Sequence, residues 1–230
     1  MGGSGTRFGS EIPKQYTEIK GKPIFYYIYE KYLKISSIDK VIIVTNSAWF
    51  DYVEKWVLKN NNDKVSIING GETRSESVFN GLKKASCFAK PDDIVLMHDA
   101  THPYVDLKGT EEVINAAKKY GGATLGAFQY DTCYQMDEDN LIKKVVKREE
   151  LVSGASPEAF KFGDIYKIYS EATNEDFKKM TSAGAIALAN GIRMKVIKAN
   201  LINLKITYPE DMVLFKALCS GYFFPQEAEK

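Results

Sequence analysis

The stretch KVIIVTNSAWFDYVEKWV, residues 40–57, indicates the fold class because it contains two different hydrophobic periods in succession. Lys40–Thr45 is a short run of β-branched residues, which favours a buried strand. After Asn46, apolar residues recur at helical spacing at Phe50, Val53, Trp56 and Val57. The stretch therefore predicts a strand followed directly by a helix.

The same alternation continues along the chain. Further strands are predicted at Lys64–Asn69, Asp93–His98, Gly122–Phe128 and Arg193–Lys198. Helices are predicted from Val78, Leu82, Ala85 and Phe88 on one face, from Val113 to Tyr120, and at Phe162–Ala172, Thr181–Asn190 and Tyr208–Leu218. Strands that alternate with helices indicate an α/β fold with a mostly parallel sheet, and continuously apolar strands indicate helices on both faces of that sheet.

The composition of the chain argues against several classes of function. The chain has 230 residues and a formal net charge of +1, which argues against a general nucleic-acid binder. No apolar run approaches the roughly 20 residues of a membrane span. Its three cysteines fit no metal-binding or redox spacing. We therefore expect a cytoplasmic protein that binds neither nucleic acid nor a membrane.

Residues 129–152 depart from the alternating pattern, with many charges and a turn-like Asp137–Asn140. We interpret this segment as a hairpin arm that projects from a single domain spanning residues 1–230. From the residues alone, two interpretations remain open: a solvated surface excursion, or an arm that reaches a partner subunit.

The first residues of the chain form a glycine-rich loop with two cations. Gly2, Gly3 and Gly5 permit a close approach of backbone N–H groups to a ligand, and Arg7 and Lys14 add positive charge. The loop lacks the Gly-Lys-Ser/Thr ending of a Walker loop and the third glycine of a dinucleotide fingerprint. A phosphate-binding loop of another type is indicated.

The motifs of the whole chain, taken in order, resemble the cytidylyltransferases that make CDP-alcohols. This family includes the enzymes specific for methylerythritol phosphate and for ribitol-5-phosphate. The resemblance rests on GSGTRFGSEIPKQY (residues 3–16), GGETRSESVFNGL (Gly70–Leu82), HDATHPYV (His98–Val105), YDT (Tyr130–Thr132), VKREEL (Val146–Leu151), SPEAF (Ser156–Phe160) and NLKITYPED (Asn203–Asp211). Several motifs in one order are far more specific than any one of them.

The resemblance implies a Rossmann-like nucleotidyltransferase fold of the GT-A type, and attack by a substrate phosphate on the α-phosphorus of CTP. It implies catalytic roles for Arg7, Lys14 and Lys205. The implied CTP contacts are Gly2, Gly3, Ser4, Gly5, Thr6, Arg7, Lys14, Gly71, Glu72, Arg74, Ser77, Asp99, Ala100 and Lys205. The implied contacts to a polyol phosphate are Asp99, Thr132, Arg148, Ser156, Thr181 and Thr207. Mg²⁺ is the expected cofactor, with Asp99 as its candidate ligand.

The resemblance also favours a homodimer formed through the 129–152 arm. For the second substrate, residues 44–57 and 116–128 look more like the branch that acts on D-ribitol 5-phosphate, which is the favoured substrate. The alternative is 2-C-methyl-D-erythritol 4-phosphate, the substrate of an isoprenoid-forming enzyme. A sugar-1-phosphate nucleotidyltransferase that uses another nucleotide is a third interpretation.

Five positions depart from the family pattern. The family usually has Arg, Thr, Gln and Asp at the positions of His102, Ser156, Glu158 and Ser182, and often a basic residue in the arm at the position of Tyr134. The departures at His102, Glu158 and Ser182 motivate an alternative of another class, a catalytically inactive nucleotide-binding relative. The family also has an apolar strand directly before its glycine-rich loop. We therefore expect a further N-terminal strand in the native protein, or another segment that takes its place.

Overall fold

A computed structural model of the chain describes residues 12–57, 63–179, 182–199 and 202–219. The strands are β1 Glu18–Ile19, β2 Lys22–Pro23, β3 Val41–Thr45, β4 Val65–Asn69, β5 Ile94–Met97, β6 Gly122–Phe128, β7 Cys133–Met136, β8 Ile142–Val146, β9 Val152–Lys161 and β10 Met194–Lys198. The α-helices are α1 Ile24–Tyr32, α2 Phe50–Val57, α3 Arg74–Ala85, α4 Leu107–Tyr120, α5 Phe162–Glu171, α6 Asn174–Lys179, α7 Ala183–Ala189 and α8 Pro209–Leu218.

The central sheet is mixed, with strand order β10-β6-β9-β5. Strand β6 pairs parallel with β10, whereas β9 is antiparallel to both of its neighbours. Strands β5, β6 and β10 therefore run in one direction and β9 in the other. Strands β3 and β4 form a separate parallel pair.

Helices cover both faces of the central sheet. Successive residues of β9 point to opposite faces and therefore pack against different helices. Ala159 packs with Val113 and Ala117 of α4, and small side chains at this position let the helix approach closely. Phe160 faces the other way and packs with Leu82 of α3 and Ile165 of α5. The predicted α/β class, with helices on both faces, is confirmed.

Helix α1 and strand β9 are among the elements that were not predicted from the sequence. Helix α1 is buried on nearly all sides, so it has no polar stripe to mark a helical period. Strand β9 contains Gly154 and Pro157, residues that usually weaken strands. One side chain was placed wrongly: α3 ends at Ala85, and Phe88 lies beyond the helix with its ring exposed.

Residues between β6 and β9 contain the antiparallel pair β7 and β8. The turn between them is closed by Asp137, whose Oδ1 accepts hydrogen bonds from the amides of Asp139 and Leu141. Apolar side chains of this hairpin are exposed, namely Tyr134, Met136, Leu141, Ile142 and Val145. The hairpin thus presents an apolar surface that the described part of this chain does not cover.

Candidate active site

The candidate site lies where three strands reach their carboxyl ends, the usual ligand position in open α/β sheets. At the end of β3, Thr45 Oγ1 lies 2.8 Å from the hydroxyl of Tyr16, whose ring stacks on Trp49 at 4.5 Å. Tyr16 belongs to a short 3-10 helix that begins at Lys14. These contacts hold the Lys14 segment at the carboxyl end of β3.

The turn after β4 leads directly into α3. Thr73 caps the helix: its Oγ1 accepts from the amide of Glu76, and the Glu76 carboxylate accepts from the amides of Thr73 and Glu72. A Cβ at Gly71 would lie 2.4 Å from the Cβ of Glu76, so only glycine fits there. This capping box places Arg74 in the first turn of α3, facing the end of β5.

Ser77 stabilises the same turn through two hydrogen bonds of its buried hydroxyl. Its hydroxyl donates to the carbonyl of Thr73 at 2.9 Å and accepts from the amide of Gly71 at 3.1 Å. Ser77 is buried, and its hydrogen is already used within the turn. Its contact with CTP stays a prediction, and its role in the described geometry is to shape the Gly71–Thr73 backbone.

Asp99, two residues after the end of β5, lies at the centre of the charged cluster. Its Oδ1 accepts from Arg74 Nη2 at 2.9 Å and Nε at 3.2 Å, and its Oδ2 accepts from Lys205 Nζ at 2.9 Å. Arg74 and Lys205 are 131 positions apart in sequence, yet the carboxylate joins them. The structure therefore brings three of the predicted site residues into one cluster.

Backbone contacts of the residues that follow Lys205 fix the position of this segment. Ile206 is fully buried, and its amide donates to the carbonyl of Thr101 at 2.8 Å. Thr207 leads into α8, where the carboxylate of Asp211 accepts from its amide at 2.8 Å. The Lys205 segment is thus fixed against the turn Asp99–His102, which also contains the predicted Ala100.

Two histidines lie behind Asp99 in a hydrogen-bonded network. His98 Nε2 faces the carbonyl of His102 at 2.8 Å, so Nε2 carries the hydrogen and Nδ1 accepts from the Tyr32 hydroxyl at 2.8 Å. His102 Nδ1 lies 2.7 Å from Ser156 Oγ, and Ser156 Oγ also accepts from the Asp99 amide at 3.2 Å. Ser156, predicted to contact the polyol phosphate, here contacts the Asp99 turn.

Burial and charge pairing shift the pKa values of this cluster in opposite directions. Burial lowers the pKa of His98 and of His102 to about 4, so both imidazoles are neutral at pH 7. Burial alone would raise the pKa of Asp99, but Arg74 and Lys205 hold it well below its ordinary value. Asp99 is therefore ionised throughout the physiological pH range.

A second polar layer lies beneath Arg74. Glu158 Oε1 accepts from the amide of Gly184 at 2.9 Å, and burial raises the pKa of the Glu158 carboxyl. The Tyr169 hydroxyl and Arg74 Nη1 are buried and have no hydrogen-bond partner among the described residues. Ser182, another departure from the family pattern, is the N-cap of α7, with its Oγ accepting from Ala185 N.

The buried neutral histidines predict a pH dependence of stability. A folded pKa of about 4 against an ordinary 6.5 means that the folded state binds fewer protons, so stability falls as pH drops from 6.5 to 4. We expect wild type to lose about 2 kcal/mol more than His102→Asn between pH 7 and pH 5, measured by urea unfolding. The raised pKa of Glu158 changes the stability in the opposite direction as the pH falls, but Glu158 is present in both proteins. Equal losses would show that His102 is not buried as a neutral ring.

The predicted arm residues lie at the base of the β7–β8 hairpin. Arg148 donates to the carbonyl of Tyr130 and pairs with Glu149, and Thr132 is exposed nearby in the chain. A cavity of about 420 Å³ opens there, lined by Phe128, Gln129, Tyr130, Arg148, Glu149 and Lys198. In the described part of the chain, no hydrogen bond or ion pair links these residues to Asp99.

Several predicted residues lie outside the described ranges: Gly2, Gly3, Ser4, Gly5, Thr6, Arg7 and Thr181. Their roles stay predictions. The sequence analysis treated His102 only as a departure from the family pattern and gave His98 no individual role in the site, and it did not identify Tyr32 or Tyr169. Their contacts span 66 positions for Tyr32 to His98 and 54 for His102 to Ser156, so no local pattern reveals them.

No helix in the described ranges has the length and apolar character needed to cross a membrane. The family model IspD, 2-C-methyl-D-erythritol 4-phosphate cytidylyltransferase, matches residues 1–220. A relative from Clostridium botulinum, named 2-C-methyl-D-erythritol 4-phosphate cytidylyltransferase, is 36% identical over 214 residues, which cover 93% of each chain. A relative from Vibrio parahaemolyticus, named ribitol-5-phosphate cytidylyltransferase, is 31% identical over 219 residues, 94% of this chain and 92% of the relative.

Solved structures resemble this fold closely. The crystal structure of 4-diphosphocytidyl-2C-methyl-D-erythritol synthase from Anaerococcus prevotii superposes with a TM-score of 0.78, at 23% identity, covering 93% of each chain. That of 2-C-methyl-D-erythritol 4-phosphate cytidylyltransferase from Francisella tularensis has a TM-score of 0.74, at 27% identity, covering 89% of this chain and 92% of the other.

Proposed function

Because this chain belongs to the 2-C-methyl-D-erythritol 4-phosphate cytidylyltransferase family, we propose that it transfers the cytidylyl group of CTP to 2-C-methyl-D-erythritol 4-phosphate. The family match over residues 1–220 carries this proposal. The chain is a CTP-dependent cytidylyltransferase by family, and the alternative of an inactive nucleotide-binding relative is set aside. The identity of the polyol phosphate is the proposed part.

The reaction is a displacement at phosphorus. An oxygen of the polyol phosphate forms a bond to the α-phosphorus of CTP, the bond to the bridging α–β oxygen breaks, and its electron pair leaves with pyrophosphate. Two anions must meet, so catalysis depends on positioning and on positive charge where negative charge develops. Lys205, held by Asp99 at 2.9 Å, would supply that charge at the α-phosphate.

CTP would lie across the carboxyl ends of β3, β4 and β5. Lys14, at the end of β3, would contact the triphosphate together with Arg7 and the backbone of Gly2–Thr6. The backbone of Gly71 and Glu72 would face the base. A site made of fixed backbone groups discriminates between bases, because the wrong base leaves buried polar groups unpaired.

A divalent cation fits the site with a limited protein contribution. The described residues contain no cluster of three or more His, Cys, Asp or Glu side chains that would hold a metal alone. Mg²⁺ is often bound by one or two carboxylates together with substrate phosphates and water. Asp99 offers such a carboxylate, since Arg74 and Lys205 leave part of its acceptor capacity unused. When bound, Mg²⁺ would neutralise phosphate charge.

The polyol phosphate would enter from the side of the arm, where Thr132 and Arg148 supply a hydroxyl and a cation. In the described ranges of one chain, no hydrogen bond or ion pair joins these residues to Asp99, so we propose that the arm completes the site of a second subunit. The exposed apolar side chains of β7 and β8 support a homodimer formed through the arm. Sedimentation velocity tests this, since a monomer at micromolar concentration would contradict it.

The choice of methylerythritol phosphate over ribitol-5-phosphate rests on the relatives. Three relatives from Clostridium species named for methylerythritol phosphate are 33–36% identical, against 31% for the Vibrio protein named for ribitol-5-phosphate. The comparisons thus favour 2-C-methyl-D-erythritol 4-phosphate, which the sequence analysis gave as the alternative, over D-ribitol 5-phosphate, which it favoured. Ribitol-5-phosphate remains the second candidate, supported by the Vibrio relative.

A competition assay tests the substrate. With limiting CTP and equal concentrations of the two polyol phosphates, we expect at least about tenfold more CDP-methylerythritol than CDP-ribitol, which corresponds to about 1.4 kcal/mol of discrimination. Separate reactions with ATP, GTP and UTP in place of CTP are the control for the nucleotide. A predominance of CDP-ribitol would assign the protein to the other substrate.

A further inference from the structure

A closed ring of hydrogen bonds holds the turn that carries Asp99. The Asp99 amide donates to Ser156 Oγ at 3.2 Å, and Ser156 Oγ lies 2.7 Å from His102 Nδ1. The His102 amide returns to the carbonyl of Asp99 at 2.9 Å. The ring connects β9, which carries Ser156, to the turn after β5.

The proton positions in this ring follow from the partners. Ser156 Oγ already accepts from the Asp99 amide, and its own hydrogen finds its acceptor in Nδ1 of a neutral His102. The hydrogen of His102 is then on Nε2. Burial lowers the pKa of His102 to about 4, which agrees with this neutral form. In the described ranges, the His102 side chain is hydrogen-bonded only to Ser156.

We propose that His102 and Ser156 are positioning residues that set, through the backbone of Asp99, where the Asp99 carboxylate holds Lys205. This inference rests on the proposed function and extends it to two residues that do not bind substrate themselves. Asp99 holds Lys205 at one oxygen and Arg74 at the other. A displaced Asp99 backbone therefore moves both cations relative to the α-phosphate.

The rest of the turn is anchored independently, which isolates the role of Ser156. His98 Nε2 donates to the carbonyl of His102, and Ile206 N donates to the carbonyl of Thr101. Among the described contacts, Ser156 is the side chain that binds the amide of Asp99. Loss of its hydroxyl releases Asp99 while the turn keeps its other attachments.

Matched substitutions separate positioning from a direct substrate contact. An asparagine at 102 places its Oδ1 near the position of Nδ1, whereas glutamine places its polar atoms near Nε2. We expect Ser156→Ala and His102→Gln each to lower kcat about tenfold or more, with KM for CTP within about twofold. Ser156→Thr and His102→Asn should retain kcat within about threefold. The double variant Ser156→Ala/His102→Gln should be no worse than either single variant.

The control is Ser170→Ala, at an exposed serine whose Oγ bonds within α5, and wild-type kcat is expected. Activity retained by His102→Gln but lost in His102→Asn would show that Nε2 contacts the substrate, and would overturn the proposal. Wild-type kcat in Ser156→Ala would also overturn it.

Hydrogen exchange at the Asp99 amide gives a readout that does not depend on turnover. Ser156→Ala should speed this exchange about tenfold, and Ser156→Thr should not. Unchanged exchange in Ser156→Ala would overturn the positioning role. This measurement separates the inference from the proposed function, because it holds even if the protein acts on another phosphate.

Discussion

Replacing Lys205 with alanine is expected to lower kcat/KM for cytidylyl transfer at least about 100-fold. Asp99 holds the ammonium group of Lys205 at 2.9 Å from Oδ2, and the Lys205 side chain is half-exposed, so phosphate can reach it. A cation fixed in advance stabilises the charge that develops at the α-phosphate without reorganisation. Pyrophosphate release under saturating CTP and polyol phosphate measures this effect.

The matched control for Lys205→Ala is Lys216→Ala, since Lys216 lies exposed on α8 and belongs to no described ion pair. It should retain wild-type turnover. Lys205→Arg keeps the charge with a different shape and should retain only part of the activity. A Lys205→Ala enzyme within about threefold of wild type would remove Lys205 from the mechanism.

Replacing Asp99 with asparagine is expected to have the second large effect. The substitution keeps the shape but removes the countercharge of Arg74 and Lys205, so two cations lie close together in a partly buried site. We expect turnover to fall about 100-fold and the free energy of unfolding to fall by about 1–3 kcal/mol. Steady-state kinetics and urea unfolding measure the two effects separately.

The control for Asp99→Asn is Asp92→Asn. Asp92 pairs with Lys161 at the same 2.9 Å distance, but its side chain is 89% exposed. Exposed ion pairs contribute only about 0–1 kcal/mol, so both stability and turnover should change little. Equal effects of the two substitutions would mean that the burial of the Asp99 cluster contributes to neither turnover nor stability.

The sequence predicted much of the fold, because most strands have a local signature. Strand β3 is a run of β-branched residues, and β6 was predicted with the bounds that the structure has. Strand β9 was missed because its Gly154 and Pro157 are poor strand formers, and pairing with β5 and β6 on both sides overrides that preference.

The candidate site was predictable as a set of residues but not as an arrangement. Asp99 and Lys205 were both named from their motifs, although their contact spans 106 positions. The hydrogen bond between His102 and Ser156 was not foreseen, because two separate departures from a family pattern do not reveal that they touch. Contacts of this kind depend on how the turn after β5 packs on β9.

We propose that Lys205 and Asp99 belong to an enzyme that joins CTP to 2-C-methyl-D-erythritol 4-phosphate, and ³¹P NMR of that single reaction is the most direct test. With Mg²⁺, CTP and 2-C-methyl-D-erythritol 4-phosphate, we expect the CTP resonances to disappear and pyrophosphate and a CDP-alcohol to form in equal amounts. Intact CTP after prolonged incubation with wild-type protein would contradict it.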